Sequence, residues 1–476
     1  DLAAYRAAAE YLKIGRELLD NYSWKLDYNL TMTLYIEAIE VAFIIGDFQG
    51  QEELSQAVMV KGRSLLEKVE VYEFKILAYQ SHNQLLEAIE TALEVLQLLD
   101  VTFPKSPAYL DAEIAWKEIE AKLANQEMSQ LIDSPPMTYP YKLAIMRILS
   151  IIISISFQAA PLLLPLIICK LVDLSVEYGN AEESTYAYSM YGAISIGIFF
   201  DIELGDRCGE FALNLVSKLN AKSFRAKTIL AVNLFIKPWK EAIDVTLKPL
   251  LSAYQIALET GDNQSAAMSP YVYCHHKYVS GKELGKLKEE LLIYRKVIAQ
   301  LQQKTYSNYH SISCQVVSNL MGESENPWLL MGEYYDETQM LPLHLQGKDF
   351  TALALVYIHK TILCCLLERY PESLENAVSA KQYLTSVVLV FLVATFYFYE
   401  SLAYLALEQI DNLSTVDENQ DKMKIWARNA PGNFQHKYDL VAAEKARILG
   451  EKWEAIQLYD RAIKGAKENG YLQEEA

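Results

Sequence analysis

The sequence has few of the two residues that make tight turns. Its 476 residues include only 19 glycines and 14 prolines. Strand-rich architectures need many tight turns, so this scarcity argues against a β-sandwich or a β-barrel and favours long helices. No convincing pair of alternating strands is joined by an Asn-Gly or Asp-Gly hairpin.

Basic residues and paired cysteines are also scarce. Lysine and arginine together number 43 against 61 aspartates and glutamates, which gives a net charge of −18. Because a surface this acidic repels phosphate backbones and anionic lipid head groups, we expect neither nucleic acid nor a membrane as a partner. The six cysteines show no Cys-x-x-Cys spacing. This pattern is typical of reduced, buried thiols in a cytoplasmic protein.

The motifs of the common catalytic sites are missing. The sequence contains no phosphate-binding G-x-x-x-x-G-K-[S/T], no protein-kinase motif set, no H-E-x-x-H and no G-x-S-x-G. Its one local Cys/His cluster is Cys274, His275 and His276. Neighbouring helical residues point about 100° apart, so we interpret these three as packing residues rather than zinc ligands. The sequence therefore predicts no catalytic, cofactor-binding or metal-binding residue, and an enzyme in its own right is the less favoured hypothesis.

Helical periodicity is what the sequence does have. In residues 440–463 a helix ends at Gly450, and Ala455, Tyr459 and Ala462 follow at offsets 0, +4 and +7. Small residues at this spacing let two helices of a hairpin approach closely, as in tetratricopeptide (TPR) repeats. The spacing recurs at Ala88/Ala92/Val95, Gly205/Gly209/Ala212 and Ser373/Ala377/Ala380. We predict an all-α fold, a right-handed α-solenoid of TPR-like helix-turn-helix repeats, with roughly 10–12 hairpins.

The densest proline cluster suggests a division of the repeats. Residues 133–136 read Asp-Ser-Pro-Pro, and Pro140 follows. We therefore predict N-terminal helical repeats in 1–132 and C-terminal TPR-like repeats in 133–476, with one continuous superhelix as the alternative. Residues 148–169 lack charge and are long enough to span a bilayer, but Pro161 and Pro165 interrupt them. We predict a buried helical hairpin there and no membrane insertion.

Three segments depart from the repeat pattern. Residues 324–344 are rich in aromatics, with Asn326-Pro327 expected to open a helix, 426–438 are expected to form a loop, and 396–405 read FYFYESLAYL. Because aromatic and basic side chains anchor interfaces, all three segments are candidates for a partner-binding groove, and the first two supply the candidate binding residues. The candidate residues are Trp328, Tyr334, Tyr335, Asp336, Trp426, His436 and Lys437. The alternative, which we favour, is that these residues have a purely structural role as core aromatics and inter-repeat loops.

Several stretches, which keep the same order along the chain, resemble a known family. They include AAEYLKIGRELL (8–19), LLDVTFPKSP (98–107), ENPWLLMGEYYDETQMLP (325–342), APGNFQHKYDLVAAE (430–444) and the closing residues 450–476. Together they resemble the TPR-like helical region of large bacterial multi-sensor signal-transduction kinases. In that family a serine/threonine kinase and a STAND-type ATPase precede the helical region, and GAF or PAS sensors and often a histidine kinase follow it. Trp453 and Ser373 depart slightly from its usual pattern.

The resemblance implies a role between domains. It places the family's catalytic residues outside this chain, whose start without Met and whose end within an apparent helix suggest an excised piece. We expect a non-catalytic relay that couples the ATPase and kinase half to the sensor half, with neighbouring domains and other proteins as partners. The alternative is a binding module that holds a protein or peptide in its concave groove.

Overall fold

The computed structural model describes residues 2–20, 22–82, 84–124, 128–408 and 413–475. Asp1 and Ala476 lie outside these ranges. Within them the chain forms α-helices and three short 3₁₀ segments but no strand, apart from two isolated bridges, Pro136 with Asn180 and Met331 with Asp336. The chain divides into two compact units, Asp1–Glu183 and Ser184–Ala476.

The helices of the first unit follow one another with short connections. They are α1 (Leu2–Glu17), α2 (Ser23–Leu26), α3 (Tyr28–Ile45), α4 (Phe48–Lys61), α5 (Leu65–Ser81), α6 (Leu85–Leu98), α7 (Tyr109–Ala124), α8 (Met128–Ile132), α9 (Pro140–Ala159) and α10 (Leu164–Tyr178). α11 (Glu182–Gly197) begins just before the boundary.

The second unit also consists of helices and their connections in its described residues. Its further helices are α12 (Ile202–Leu219), α13 (Lys222–Phe235), α14 (Leu247–Thr260), α15 (Asn263–Val279), α16 (Leu284–Gln300), α17 (Lys304–Leu320), α18 (Glu337–Gln346), α19 (Phe350–Leu366), α20 (Tyr370–Lys381), α21 (Leu392–Ala406), α22 (Leu413–Asn429), α23 (Pro431–Ile448), α24 (Lys452–Asn469) and α25 (Leu472–Glu475). The 3₁₀ segments are Lys237–Trp239, Ile243–Thr246 and Leu384–Ser386.

The helices stack as hairpins. Consecutive helices pack together, as in α3 with α4, α5 with α6, α14 with α15, α16 with α17, α19 with α20 and α23 with α24. Helices two apart also touch, in the series α13, α15, α17, α19, α21 and α23. Repeated neighbour contacts of this kind are how stacked helical hairpins bury a continuous core. The predicted all-α, solenoid-like fold of TPR-like hairpins is therefore confirmed.

Glycines follow the ends of several helices, including Gly450, where the sequence predicts a helix end. Gly46, Gly261, Gly450 and Gly470 follow their helices with φ between 73° and 79°. Glycine adopts this left-handed conformation without the steric cost of a Cβ, so it ends a helix readily. Each of these turns reverses the chain and starts the next helix.

The small residues of the repeat signature lie where helices meet. Ala88, Ala92 and Val95 are fully buried, and Ala455 and Ala462 are 4% and 3% exposed. At Gly205 on α12, an added Cβ would lie 2.8 Å from the carbonyl oxygen of Gly192 on α11. The two backbones are therefore too close for a side chain, and the predicted role of the small residues is confirmed.

The uncharged segment around 148–169 forms the predicted hairpin, since α9 and α10 pack together across a short turn. Two helices in the described ranges are long and apolar enough to cross a membrane, Tyr28–Ile45 and Pro140–Ala159. In the second of these, 56% of the most apolar stretch is buried inside the protein, where Ile148, Ile152 and Ile155 are fully enclosed.

The division predicted at 132/133 does not coincide with the boundary between the compact units. α9 packs against α5 and α6, and α10 packs against α7, although both follow the proline cluster. The compact first unit therefore extends to Glu183. The division of the repeats at 132/133 stays a prediction.

We expect Gly205→Ala to lower the free energy of unfolding by about 1–3 kcal/mol, because the methyl group must push apart two packed backbones. The measurement is urea unfolding followed by circular dichroism. The matched control is Gly15→Ala in α1, where the nearest atom to an added Cβ is Leu34 Cδ2 at 3.5 Å. That variant should be neutral or stabilising by up to about 1 kcal/mol. Equal effects of the two substitutions would contradict the close-approach interpretation.

Candidate functional site

The seven candidate residues occupy two places in the second unit. Trp328, Tyr334, Tyr335 and Asp336 lie in the connection between α17 and α18, and the other three lie on α22 and α23. All seven are within the described residues. Their role in partner binding stays a prediction. The structure shows how accessible each side chain is and which residues it contacts.

The connection that holds the first group is not helical, and the expectation that Asn326-Pro327 opens a helix is wrong. α18 begins only at Glu337. Side chains satisfy the backbone before it. Asn319 on α17 donates to the carbonyl oxygens of Pro327 and Leu329 at 3.0 and 2.6 Å, and the Glu337 carboxylate accepts from the N–H of Leu330 at 2.8 Å. These bonds replace helical ones, so the loop is a fixed structure.

Within this loop, the four candidates differ in accessibility. Tyr335 is only 4% exposed, and its hydroxyl lies 3.1 Å from His344 Nε2. It is a core residue, in agreement with the favoured alternative. Trp328 and Tyr334 are half-buried. Asp336 accepts from the N–H of Thr338 at 2.9 Å and so caps α18.

An arginine guanidinium lies over each of the half-buried rings. The Arg369 guanidinium carbon is 4.1 Å from the centre of the Trp328 ring, and that of Arg295 is 5.3 Å from the Tyr334 ring. Such cation–π contacts stabilise by about 0.5–1 kcal/mol at exposed sites. Arg369 lies just before α20 and Arg295 lies on α16, so the two contacts join the loop to two separate parts of the second unit. We call Trp328, Tyr334, Arg295 and Arg369 the arginine-aromatic patch.

The second group does not lie in a loop, and the expectation of a loop in 426–438 is wrong. α22 ends at Asn429, and α23 begins at Pro431, so only Ala430 separates the two helices. Pro431 fits because the first N–H groups of a helix have no intrahelical acceptor. Proline and glycine here mark a helix start instead of an irregular segment.

Trp426 belongs to an aromatic cluster. It is 4% exposed, and its ring centre lies 5.2 Å from that of Trp239, 6.0 Å from Phe434 and 6.2 Å from Tyr397. Phe200, on the connection after α11, stacks on it at 6.4 Å. Trp239 lies 187 positions before Trp426 in the sequence, which is why periodicity alone did not pair the two.

His436 and Lys437 form a buried charged group with Glu474. One carboxylate oxygen of Glu474 lies 2.5 Å from His436 Nε2 and 2.6 Å from Lys437 Nζ. The side chains of Lys437 and Glu474 are 0% and 3% exposed. The ring of Tyr471 lies 3.9 Å from Lys437 Nζ. Sequence reasoning missed Glu474, because nothing in the order of residues pairs two groups that lie so far apart along the chain.

The charges of this group depend on one another. Burial by itself raises the pKa of Glu474, but Lys437 and His436 hold that pKa below its ordinary value. Burial lowers the pKa of Lys437 and of His436, and Glu474 opposes both shifts. A buried ion pair contributes little net stability, but removing one partner leaves an uncompensated buried charge. The group therefore ties α25 to α23 only while all its members are present.

We expect Glu474→Gln to destabilise the second unit by about 3–5 kcal/mol, because Lys437 then stays buried without its counter-charge. Thermal unfolding of the 476-residue chain measures this. The matched control is Glu475→Gln, which removes a more exposed carboxylate that lies 3.3 Å from Lys467 and should cost at most about 1 kcal/mol. If Glu474→Gln cost no more than this control, the buried charge group would not matter for stability.

Six of the seven histidines are buried in the second unit. They are His275, His276, His310, His344, His359 and His436. Burial lowers the pKa of His275 and His310 to about 4 and that of His359 to about 3. The rings of His275 and His359 lie 6.2 Å apart, a proximity that the local Cys/His cluster did not reveal. Within the described ranges no three His, Cys, Asp or Glu residues are placed to hold a metal ion.

We expect the second unit to lose stability as the pH falls from 7.5 to 5. In the unfolded chain these histidines bind protons below their ordinary pKa of about 6.5, whereas their folded pKa values are depressed, so acid favours unfolding. Each fully buried histidine contributes about 1 kcal/mol of loss at pH 5.5. Urea unfolding at several pH values measures the slope. His359→Phe should reduce it, and exposed His82→Phe should leave it unchanged. A slope unaffected by His359→Phe would contradict this origin.

Comparisons with known proteins give limited likenesses. No protein-family model matches the chain. Hybrid signal transduction histidine kinase G of Dictyostelium discoideum is 19% identical over 334 residues, which cover 64% of this chain and 9% of that protein. Among solved structures, the apo form of RapI is 10% identical, with 84% of this chain and 98% of that chain covered. Its TM-score is 0.36, which is too low to establish a shared fold.

Proposed function

We propose that the chain is a non-catalytic helical-repeat scaffold in a multidomain signal-transduction protein kinase, where it relays conformational state between ATPase and kinase domains and sensor domains. The resemblance to multi-sensor kinases supports this proposal, as does the likeness to a protein named as a signal transduction histidine kinase. The parent would be a serine/threonine kinase, a histidine kinase or both, with neighbouring domains as partners. Six free, buried thiols are consistent with a cytoplasmic location.

The observation that supports the relay proposal is a set of four hydrogen bonds made by the side chain of Asn433, the third residue of α23. We call this set the clamp. Its Nδ2 donates to the carbonyl oxygens of Pro238 and Glu241, both at 2.7 Å. Its Oδ1 accepts from the N–H of Ile243 at 3.0 Å and from the Tyr471 hydroxyl at 3.1 Å. One buried amide therefore bonds the α13–α14 connection, the start of α23 and the residue before α25.

This clamp changes how the second unit can deform. In a simple solenoid each repeat contacts only its neighbours, so a displacement passes along the array one hairpin at a time. Asn433 adds a direct connection across about 190 residues of sequence. Aromatic packing reinforces it, because Trp239 stacks on Phe434 with ring centres 5.6 Å apart. A displacement of α24 and α25 is therefore carried to α13 and α14 without passing through the intervening repeats.

We expect nucleotide binding to the longer protein to change amide hydrogen exchange in 238–246 and 431–439 together. Asn433→Ala should uncouple the two segments, because it removes all four hydrogen bonds of the clamp. Asn429→Ala is the matched control, since the Asn429 amide bonds only the carbonyl of Ile425 in its own helix. Hydrogen exchange with mass spectrometry, with and without ATP, measures both. No change anywhere in residues 1–476 on adding nucleotide would count against the relay.

The second candidate function is a protein- or peptide-binding module. The arginine-aromatic patch favours it, because tryptophan, tyrosine and arginine are the residues that most often dominate binding energy at interfaces. Trp328 and Tyr334 are half-buried and so offer part of each ring to a partner. Tyr335 is excluded from such a surface by its burial.

For this module we expect Trp328→Ala to abolish one interaction of the longer protein and to lower its free energy of unfolding by only about 1 kcal/mol, through the loss of the contact with Arg369. Tyr335→Ala is the contrasting variant, since emptying a core position costs about 3–5 kcal/mol. Crosslinking mass spectrometry of the two variants, with thermal unfolding beside it, separates binding from folding. If Trp328→Ala lowered stability and no partner were lost, the binding-module hypothesis would be wrong.

A further inference from the structure

Four buried polar side chains form a chain of contacts from α17 to the loop between α17 and α18. The Tyr309 hydroxyl donates to Asp349 Oδ1 at 2.8 Å. Asp349 Oδ2 lies 3.7 Å from His344 Nδ1, and His344 Nε2 lies 3.1 Å from the hydroxyl oxygen of Tyr335. All four residues are at most 6% exposed. They therefore depend on one another, rather than on water, for the partners of their polar atoms.

Asp349 is the fixed end of this chain. It is the N-cap of α19, where Oδ1 also accepts from the N–H of Ala352 at 3.0 Å. The negative charge of this carboxylate favours the tautomer of His344 that carries its hydrogen on Nδ1. Nε2 of His344 is then the acceptor, and the Tyr335 hydroxyl is the donor.

Tyr335 connects the chain to the loop. Its N–H and that of Tyr334 both point to Gln315 Oε1 on α17, at 3.4 and 3.1 Å, and its carbonyl oxygen accepts from the N–H of Gly332 at 3.0 Å. Its ring stacks on that of His344 with centres 6.2 Å apart. Among the described residues, its hydroxyl has His344 as its one hydrogen-bond partner. The position of the loop is therefore coupled to the state of this histidine.

A second proton on His344 removes the acceptor of the Tyr335 hydroxyl. Both ring nitrogens of an imidazolium are donors, so Nε2 can no longer accept. The hydroxyl must turn to accept from Nε2–H, and its own hydrogen is then left in the core without an acceptor, which is unfavourable. The positive charge at the same time strengthens the attraction between His344 and Asp349. Protonation thus holds the histidine at α19 and weakens its link to the loop.

Other ionisable groups face His344 and Asp349 from the surrounding elements. They are Asp336 and Glu337 at the start of α18, Tyr357 and Lys360 on α19, Tyr306 on α17 and Tyr271 on α15. Glu337 is already paired with Lys360 at 2.6 Å, and Asp336 caps α18. The tyrosines are neutral below pH 8, since the ordinary pKa of tyrosine is about 10. None of these groups changes charge between pH 7.5 and 5.5 in a way that would replace the role of His344.

Proton linkage gives the direction of the effect. Burial lowers the pKa of His344, and Asp349 opposes this shift. Release of Tyr335 exposes the histidine ring to water and returns its pKa towards the ordinary value of about 6.5. The open form therefore binds a proton at a higher pH than the closed form, so acid favours opening. If the closed form stays neutral, opening becomes about tenfold more favourable between pH 7.5 and 5.5.

We infer that His344 is an acid-sensitive switch, which holds the loop 321–336 closed when it is neutral and releases Tyr335 and the loop when it gains a proton. The release itself does not depend on the proposed function. Its effect on partner binding rests on the binding-module hypothesis, because Trp328 and Tyr334 lie in the same loop. Arg295 lies on α16, outside the loop, so release would separate the two sides of the arginine-aromatic patch.

The test is hydrogen exchange of the 476-residue chain at pH 7.5 and 5.5, measured by mass spectrometry and corrected for the intrinsic pH dependence of exchange. The hydrogen-bonded amides of Gly332, Tyr334 and Tyr335 should lose protection about tenfold on acidification. Amides of α19 report unfolding of the whole unit and should stay better protected than the loop at both pH values. No change in loop protection relative to α19 would overturn the inference.

A conservative substitution and a matched control identify the responsible group. His344→Gln keeps an oxygen that can accept from the Tyr335 hydroxyl but does not titrate, so the acid effect on the loop should disappear. His359→Phe removes another buried histidine of the same unit and should leave that effect intact. Circular dichroism checks the fold of both variants, and the wild-type comparison decides the question if one of them unfolds. A tenfold acid effect that persisted in folded His344→Gln would also contradict the inference.

The same measurement separates the switch from the binding-module hypothesis, because exchange of the loop requires no partner. If acid releases the loop in wild type but not in His344→Gln, the switch is established even where Trp328→Ala loses no partner. In that case the binding-module hypothesis alone would be wrong.

Discussion

The close approach of neighbouring helices is the constraint on which the structure depends. A helical hairpin buries its apolar stripe fully only if the two backbones can come near each other, and that needs small side chains at the contact points. Ala88 and Ala92 in the first unit and Gly205, Ala377 and Ala455 in the second occupy such points. Larger side chains such as Tyr459 then fill the remaining space from the side. The same arrangement recurs along the chain, and the stack of hairpins follows from it.

Within the second unit, a few polar groups add connections that the repeat itself does not supply. The Asn433 amide bonds the α13–α14 connection, and Glu474 holds Lys437 and His436 in a nearly water-free place. Such groups are costly to bury, and they stabilise the fold only in one geometry because each donor needs its own acceptor. They therefore favour one packing arrangement of the second unit over others. They also place the aromatic cluster around Trp239 beside the clamp.

Much of the fold could be predicted from the order of residues. Helix type, helix ends at glycine and the hairpin signature all depend on contacts within one helical hairpin, and all three predictions were confirmed. The two errors are also local. In 324–336, side chains of α17 satisfy backbone groups that a helix would otherwise satisfy, and no pattern in the segment itself shows this. At 430–432, proline and glycine were interpreted as a loop although proline is also favoured at the start of a helix.

By itself, the sequence determined the helical hairpins, their small-residue contacts and the set of aromatic and basic residues from which a site could be drawn. Tertiary structure alone decided which of those residues meet. It buried Tyr335, joined Lys437 to Glu474, and brought Trp239 against Trp426. The physical reason is that helix periodicity orients a side chain relative to its own helix, whereas pairing across about 190 residues depends on how many repeats intervene and how each one packs.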